Sequence, residues 1–346
     1  MNPSALADPG RTQALQQWLQ GLAQAHRLLP ETLAPASEDA STRRYLRVQQ
    51  QGGSSLVVMD APPQTNALAP FVQVDAMLRA AGLHAPEILA CDEAQGFMLL
   101  EDLGPLPYVQ ALAQASAREA DRLMRSAIDA LVRWQSSADA AQLPAYDEAF
   151  VRRELQIFVD WCVQRHHGRQ WDETQQRWWA HCCDALARNV QEQPQLAMHR
   201  DFMARNLMVC EPNPGILDFQ DAVRGPIAYD MISLLRDSHL SWDEERELDW
   251  AIRYWEQARR AGLPVGEDFG ELWRQMELCG LQRHLKILGL FCRLHHRDGK
   301  SGYLSELPRF FAYAIKVSTR YVELSPLTHL LQDLQGDLVQ TGYSLR

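Results

Sequence analysis

The sequence predicts an α+β chain of two lobes, a small antiparallel sheet followed by a larger, mostly helical lobe. Three observations point there. The 346 residues amount to about two domains at roughly 150 residues each, or to two lobes closing around one cleft. Between residues 31 and 103 the apolar residues fall into short runs punctuated by turn chemistry, and after residue 104 they return to helical spacing with one exception, at 196–219. A composition of 46% hydrophobic and 23% charged residues is that of an ordinary globular chain, which excludes disordered, collagenous and low-complexity classes.

Taken in order, residues 12–29 repeat Leu15, Leu19, Leu22 and Ala23 at helical spacing, with Trp18 on the flank and Pro30 as the stop. Tyr45–Val48 and Ser55–Met59 are short β-type runs joined by Gln51-Gly52-Gly53, the composition of a hairpin turn. Phe71, Val74, Leu78 and Leu83 place a helix that ends near Gly82, and Ile88–Ala90 and Phe97–Leu100 supply two further strands. The connector Glu101-Asp102-Leu103-Gly104-Pro105 sets the lobe boundaries at 1–103 and 104–346. Beyond it, Ser116 and Glu119 have the spacing of a capping box, and helical stripes cover 116–134, 147–166, 172–191, 243–261, 267–296 and 305–324. The exception is Leu207–Val209 and Ile216-Leu217, which flank Glu211-Pro212-Asn213-Pro214-Gly215, a turn that no helix interior accommodates.

Charge and cysteine usage exclude further classes. The net charge is −10, and only Lys286, Lys300 and Lys316 are lysines, so long nucleic acid is not an expected partner, since phosphate backbones are gripped by dense basic patches. The first thirty residues lack the charged-then-apolar profile of a signal peptide, and no run of 18 apolar residues is available to span a bilayer. The expectation is a cytoplasmic protein without a membrane partner. Seven cysteines without a C-x-x-C pair read as buried thiols, and the doublets His166-His167, Cys182-Cys183 and His295-His296 lack zinc-site spacing.

The chemistry concentrates at the exceptional hairpin. His199-Arg200-Asp201 is followed five positions after the Asp by Asn206, and Asp218-Phe219 follows the return strand. This spacing matches the catalytic loop H-R-D-x-x-x-x-N of protein kinases with the Asp of their D-F-G, on a protein-kinase-like two-lobed fold. Phosphoryl transfer requires a carboxylate to orient and deprotonate the attacking hydroxyl and hard oxygen ligands for Mg²⁺ on the polyphosphate. Asp201 is then the expected base, and Asn206 and Asp218 the expected metal ligands. An isolated H-x-D, or an Asn or Asp beside a strand, is ordinarily a turn or cap residue; it is the three together that point to this chemistry.

Residues Met198 to Asp230, including Gly225-Pro226 and Asp230, resemble the core of the aminoglycoside phosphotransferase family, and Gly96–Gly104 resembles its strand into the hinge. The resemblance covers nearly the whole chain. It implies a small-molecule kinase using ATP and Mg²⁺, with adenine held by backbone groups around Glu101 to Leu103 and Asp230 bracing the catalytic loop. Ser41-Thr42-Arg43-Arg44-Tyr45, Val57–Pro63 and Leu217–Ala222 are similar, within that family, to the bacterial cell-wall-recycling amino-sugar kinases, which phosphorylate N-acetylmuramate and N-acetylglucosamine at the anomeric hydroxyl. Kinases of aminoglycosides or other hydroxylated metabolites, or a catalytically silent nucleotide-binding regulator, are the alternatives, and the acidic balance suits a cationic acceptor. Two departures stand out. The loop Glu38–Thr42 has no glycine, and Met59 stands where kinases place a phosphate-binding lysine. Ser41 and Thr42 remain as donors to phosphate, and Arg43 or Arg44, on opposite faces of a strand, is expected to replace part of the missing charge.

Overall fold

The computed structural model describes residues 9–36, 43–64, 66–237 and 240–335. In chain order the N-terminal part holds α1 (Pro9–His26), β1 (Leu28–Pro35), β2 (Arg44–Gln50), β3 (Ser55–Asp60), α2 (Ala69–Ala80), β4 (Ile88–Asp92), β5 (Phe97–Glu101) and α3 (Tyr108–Gln114). The middle holds α4 (Ala117–Ser137), α5 (Glu148–Ile157) continued by a π-helical segment (Phe158–His166), α6 (Glu173–Glu192), and four short strands, β6 (Gln195–Met198), β7 (Leu207–Met208), β8 (Gly215–Ile216) and β9 (Val223–Pro226). The rest is helical: α7 (Tyr229–Leu235), α8 (Glu244–Arg260), α9 (Phe269–Asp298), α10 (Leu307–Arg320) and α11 (Ser325–Gln335).

The chain divides into two compact units, one of Met1–Ser126 with Arg205–Asp221 and the other of Ala127–Ala204 with Ala222–Arg346. The division therefore falls inside α4, at Ser126, where sequence reading places it after Leu103, and the hairpin segment Arg205–Asp221 joins the first unit. A connector rich in Gly and Pro marks a change of composition. Contact density follows packing instead, and α3 and the first turns of α4 pack with the sheet-bearing unit.

In the first unit the sheet is antiparallel with order β1-β2-β3-β5-β4. The expected hairpin is β2–β3, with Val48 opposite Leu56, and its turn uses positive φ at Gly52 (110°) and Gly53 (93°), a conformation that strains any residue with a Cβ although the space around both is open. Alternation decides which face is apolar: Val48, Leu56, Val58, Phe97 and Leu99 share one face and form a core with Leu15 and Leu19 of α1. Leu28 and Leu29, expected at the end of the first helix, belong to β1 instead. The helix stops at His26, and Arg27 at φ 54° reverses the chain. Leucine is compatible with either state; pairing with β2 and burial of Leu28 against the sheet decide for the strand, whose edge position tolerates Pro30 and Pro35.

In the second unit α9 is the central element, with buried residues from Leu272 to Cys292. The expected capping box at the start of α4 is present: Ser116 N–H donates to Glu119 Oε2 at 2.9 Å, and Glu119 N–H to Ser116 Oγ at 3.3 Å. Sequence spacing reads 147–166 as one α-helix, whereas the backbone widens to π after Ile157. There Gly289 of α9 faces the widened turn so closely that a Cβ would lie 2.4 Å from Ile157 O and 2.7 Å from Phe158 N. Alanine in a helix interior is ordinarily about 1 kcal/mol better than glycine. Gly289→Ala reverses that sign, because backbone cannot yield and overpacking costs about 1–3 kcal/mol; urea unfolding should show a net loss, and a stabilised variant would refute this contact.

Candidate active site

The second unit builds the turn that carries Asp201. Strand β6 pairs with β9, Met198 opposite Val223, so the chain leaving β6 turns immediately at His199. Arg200 sits at φ 74°, a left-handed conformation that costs a residue with a Cβ about 1–2 kcal/mol. Asp230, fully buried in the first turn of α7, offsets that cost by accepting from the N–H groups of both His199 (2.7 Å) and Arg200 (3.0 Å). Burial pushes the Asp230 carboxyl up to about 7, against the pull of these two donors. His199 is also buried; its Nδ1 accepts from Asp201 N–H at 3.3 Å and its ring meets Phe202 edge-on. It therefore shapes the turn, and Asp201 alone of the three projects a partly exposed carboxylate.

Around Asp201 the unit places three cations. Arg283 Nη2 lies 3.9 Å from Asp201 Oδ1, and Arg200 and Lys286 also act on it. Burial would raise the Asp201 carboxyl, but Lys286, Arg283 and Arg200 together hold it below the usual carboxylate range. Lys286 and Arg200 are themselves anchored on the buried Glu154 of α5, with Lys286 Nζ and Arg200 Nη2 at 3.1 and 3.0 Å from its Oε1. Tyr146 OH (2.6 Å) and Gln282 Nε2 (3.0 Å) donate to its Oε2, so every side of this carboxylate is occupied. Burial opposes ionisation of Glu154, yet Lys286, Arg200 and these donors bring it down to about 2. Glu154, Arg283 and Lys286 escape sequence reading. The signal available for the last two is a polar run, Gln282-Arg283-His284, with one of only three lysines, inside a helix whose other neighbours are apolar.

The first unit brings the two expected metal ligands together. Strands β7 and β8 pair Leu207 with Ile216, and Leu217 N–H donates to Asn206 C=O at 2.9 Å, which sets Asn206 beside Asp218. Asn206 Nδ2 lies 3.5 Å from Asp218 Oδ2, and Gln220 Nε2 donates to Asp218 Oδ1 at 2.9 Å. Asp218 also adopts a left-handed conformation, φ 60°, of the kind stored at functional sites. Among the described residues no three of His, Cys, Asp and Glu group to hold an ion by themselves. One carboxylate and one amide oxygen fit the habit of Mg²⁺, which takes one or two protein oxygens and completes its shell with phosphate and water.

Of the other expected nucleotide residues, Ser41 and Thr42 lie outside the described residues. Arg44 is not available as expected: its guanidinium bonds both through Nε (2.8 Å) and Nη2 to Asp60 Oδ2, while Arg11 Nε of α1 donates to Oδ1 at 2.7 Å. Asp60 is fully buried, and the two arginines give each of its oxygens a charged donor. Arg43 lies half-buried just before β2. Met59 packs under the sheet opposite Tyr45 and Met98. At the hinge Glu101 gives its N–H to Glu87 C=O (2.9 Å), its carboxylate contacts His84 Nε2 at 3.1 Å, and Leu103 is buried beside it.

A partly exposed carboxylate kept ionised on the turn after β6, and an Asn–Asp pair across a short hairpin, are what a phosphotransferase of kinase-like architecture is expected to carry. The family model described as phosphotransferase enzyme family matches residues 32–273, and the chain belongs to that family. Relatives are an N-acetylmuramate/N-acetylglucosamine kinase of Pseudomonas aeruginosa, 48% identical over 88% of this chain and 89% of that protein, and one of the same name from Neisseria meningitidis, 43% identical over 95% and 98%. The fold is shared with an ADP-bound aminoglycoside phosphotransferase at a TM-score of 0.58 and 12% identity, over 86% of this chain and 97% of that one.

The Glu154 hub sets a pH-dependent stability. Its carboxyl is held below its ordinary value of 4.5, so its contribution is complete above that pH and is lost as pH falls toward 2. Glu154→Gln strands two buried cations and should cost about 3 kcal/mol at pH 7. At pH 3.5 the gap from the unsubstituted protein should narrow by about 1.4 kcal/mol, measured by urea unfolding at both pH values. A gap independent of pH would remove Glu154 from this role.

Proposed function

We propose that this chain transfers the γ-phosphoryl group of ATP to the anomeric hydroxyl of N-acetylmuramate and N-acetylglucosamine, with Asp201 as base and Asn206 and Asp218 holding Mg²⁺. The observation that carries the reading is the likeness, over nearly the whole chain, to two kinases named for that acceptor pair. The local charge agrees with it. The chain as a whole is acidic, but three cations, Arg200, Arg283 and Lys286, act on Asp201, with Glu154 and Asp230 as the anions beside them, so the surroundings of the proposed base are less acidic than the net charge suggests.

Asp201 accepts a hydrogen bond from the acceptor hydroxyl and takes its proton as the bond to phosphorus forms. Because the neighbouring cations lower its basicity, it serves best an acidic hydroxyl, and the anomeric hydroxyl, on a carbon that also bears the ring oxygen, is the most acidic on such a sugar. The turn held by Asp230 fixes where that carboxylate points. Mg²⁺, when bound with nucleotide, neutralises charge on the phosphates. At the hinge the carbonyl of Glu101 and the N–H of Leu103 are the groups proposed for adenine. Ser41 and Thr42 are proposed to donate to phosphate, with Arg43 as a cation that follows them directly in the chain.

Two measurements follow. Incubation with ATP and either amino sugar should yield a phosphate released by mild acid, the behaviour of an acetal ester, and a sugar blocked at the anomeric carbon should not react; Asp201→Asn should lower turnover by roughly 10² to 10⁴. An acid-stable product refutes the anomeric assignment. Arg43→Ala should raise KM for ATP about tenfold, whereas Arg44→Ala should lower stability through loss of a partner for Asp60; the opposite pattern would return the phosphate role to Arg44.

A further inference from the structure

Among the three cations beside Asp201, Arg283 is the one left without an anion at hydrogen-bonding distance. Lys286 and Arg200 are both anchored on Glu154. Arg283 is 4% exposed, and its Nη2 makes one weak contact, 3.6 Å to Met203 Sδ, while the Asp201 carboxylate stays 3.9 Å away. Its Nε and Nη1 are buried without a hydrogen-bond partner. Unmet buried donors are costly, more so on a charged group, so an arginine placed only to brace Asp201 would be expected to close the gap and satisfy its fork.

The two proposed acceptors supply the missing partner. N-acetylmuramate is N-acetylglucosamine with a lactic acid joined through an ether at C3, so the two differ by one carboxylate. An acceptor hydroxyl on Asp201 stands about 2.7 Å from that carboxylate. A substituent two ring carbons from the reacting end is then within reach of a guanidinium that itself lies beside Asp201. The planar fork of arginine suits a carboxylate in a way that a lysine does not.

We infer that Arg283 is a specificity-determining residue that receives the lactyl carboxylate of N-acetylmuramate and has no counterpart contact with N-acetylglucosamine. This rests on the acceptor pair proposed above. It adds a division of labour: Glu154 holds two cations fixed, and the third is reserved for the acceptor.

The test compares kcat/KM for three acceptors, N-acetylmuramate, its methyl ester and N-acetylglucosamine. With the unsubstituted enzyme the ester should lose at least tenfold against the acid, equivalent to about 1.4 kcal/mol, mainly through KM. In Arg283→Gln, and less severely in Arg283→Lys, the acid should lose at least tenfold more than N-acetylglucosamine does, and the acid and ester should become equivalent. The ester comparison needs no substitution, so it stands even where a variant folds poorly. Equal rates for acid and ester in the unsubstituted enzyme, or equal losses for both sugars in the variants, would overturn the inference and assign Arg283 to Asp201 or to the transferred phosphoryl group. Failure of the unsubstituted enzyme to phosphorylate either sugar would instead overturn the acceptor reading, and this inference with it.

Discussion

The arrangement of charge in the second unit depends on one buried carboxylate whose oxygens are all taken by the protein itself. Glu154 lies on α5, yet it ties together the turn after β6 through Arg200, the central helix α9 through Gln282 and Lys286, and the segment before α5 through Tyr146. Two cations placed near a base without such an anion would repel one another and expel the loop. With it, they become a fixed field at Asp201. Burial makes the arrangement strong in both directions, since low dielectric increases the attraction as well as the penalty for a missing partner.

A second constraint is conformational. The kinase-like turn places a residue with a side chain at positive φ, and a single buried Asp on α7 satisfies the two N–H groups that this geometry leaves over. In the first unit the Asn206–Asp218 hairpin achieves a comparable result with another left-handed residue and short β-bridges. Both devices place a carboxylate by fixing backbone, which suits groups whose position matters more than their basicity.

The hairpins and the capping box were legible because each is a local signal: a period, a spacing of three residues, a Pro/Gly turn; the spacing of Asp201, Asn206 and Asp218 was legible in the same way, and so was the pairing of Asn206 with Asp218 across the short hairpin. Asp230 was legible only through its likeness to a family motif, although its structural purpose follows once the turn is seen. What stayed hidden is long-range. Leu28 and Leu29 carry no mark that distinguishes a last helical turn from an edge strand, and the partner of Arg44, Asp60, lies across a strand pair. Glu154 and Arg283 read as ordinary surface charges on amphipathic helices; only packing makes one a buried hub and the other a buried arginine whose nearest anion stands 3.9 Å away. An acidic net total likewise says nothing about the few residues around one carboxylate.

The family match begins at residue 32, which leaves α1 outside it. Yet α1 supplies Leu15 and Leu19 to the sheet core, and Arg11 to the buried carboxylate of Asp60. A chain trimmed at the family boundary would open one apolar face of the sheet to water and leave Asp60 with a single arginine. For practical work on this protein, the smallest piece that retains a sound first unit is thus set by its first helix and not by the boundary of the family match.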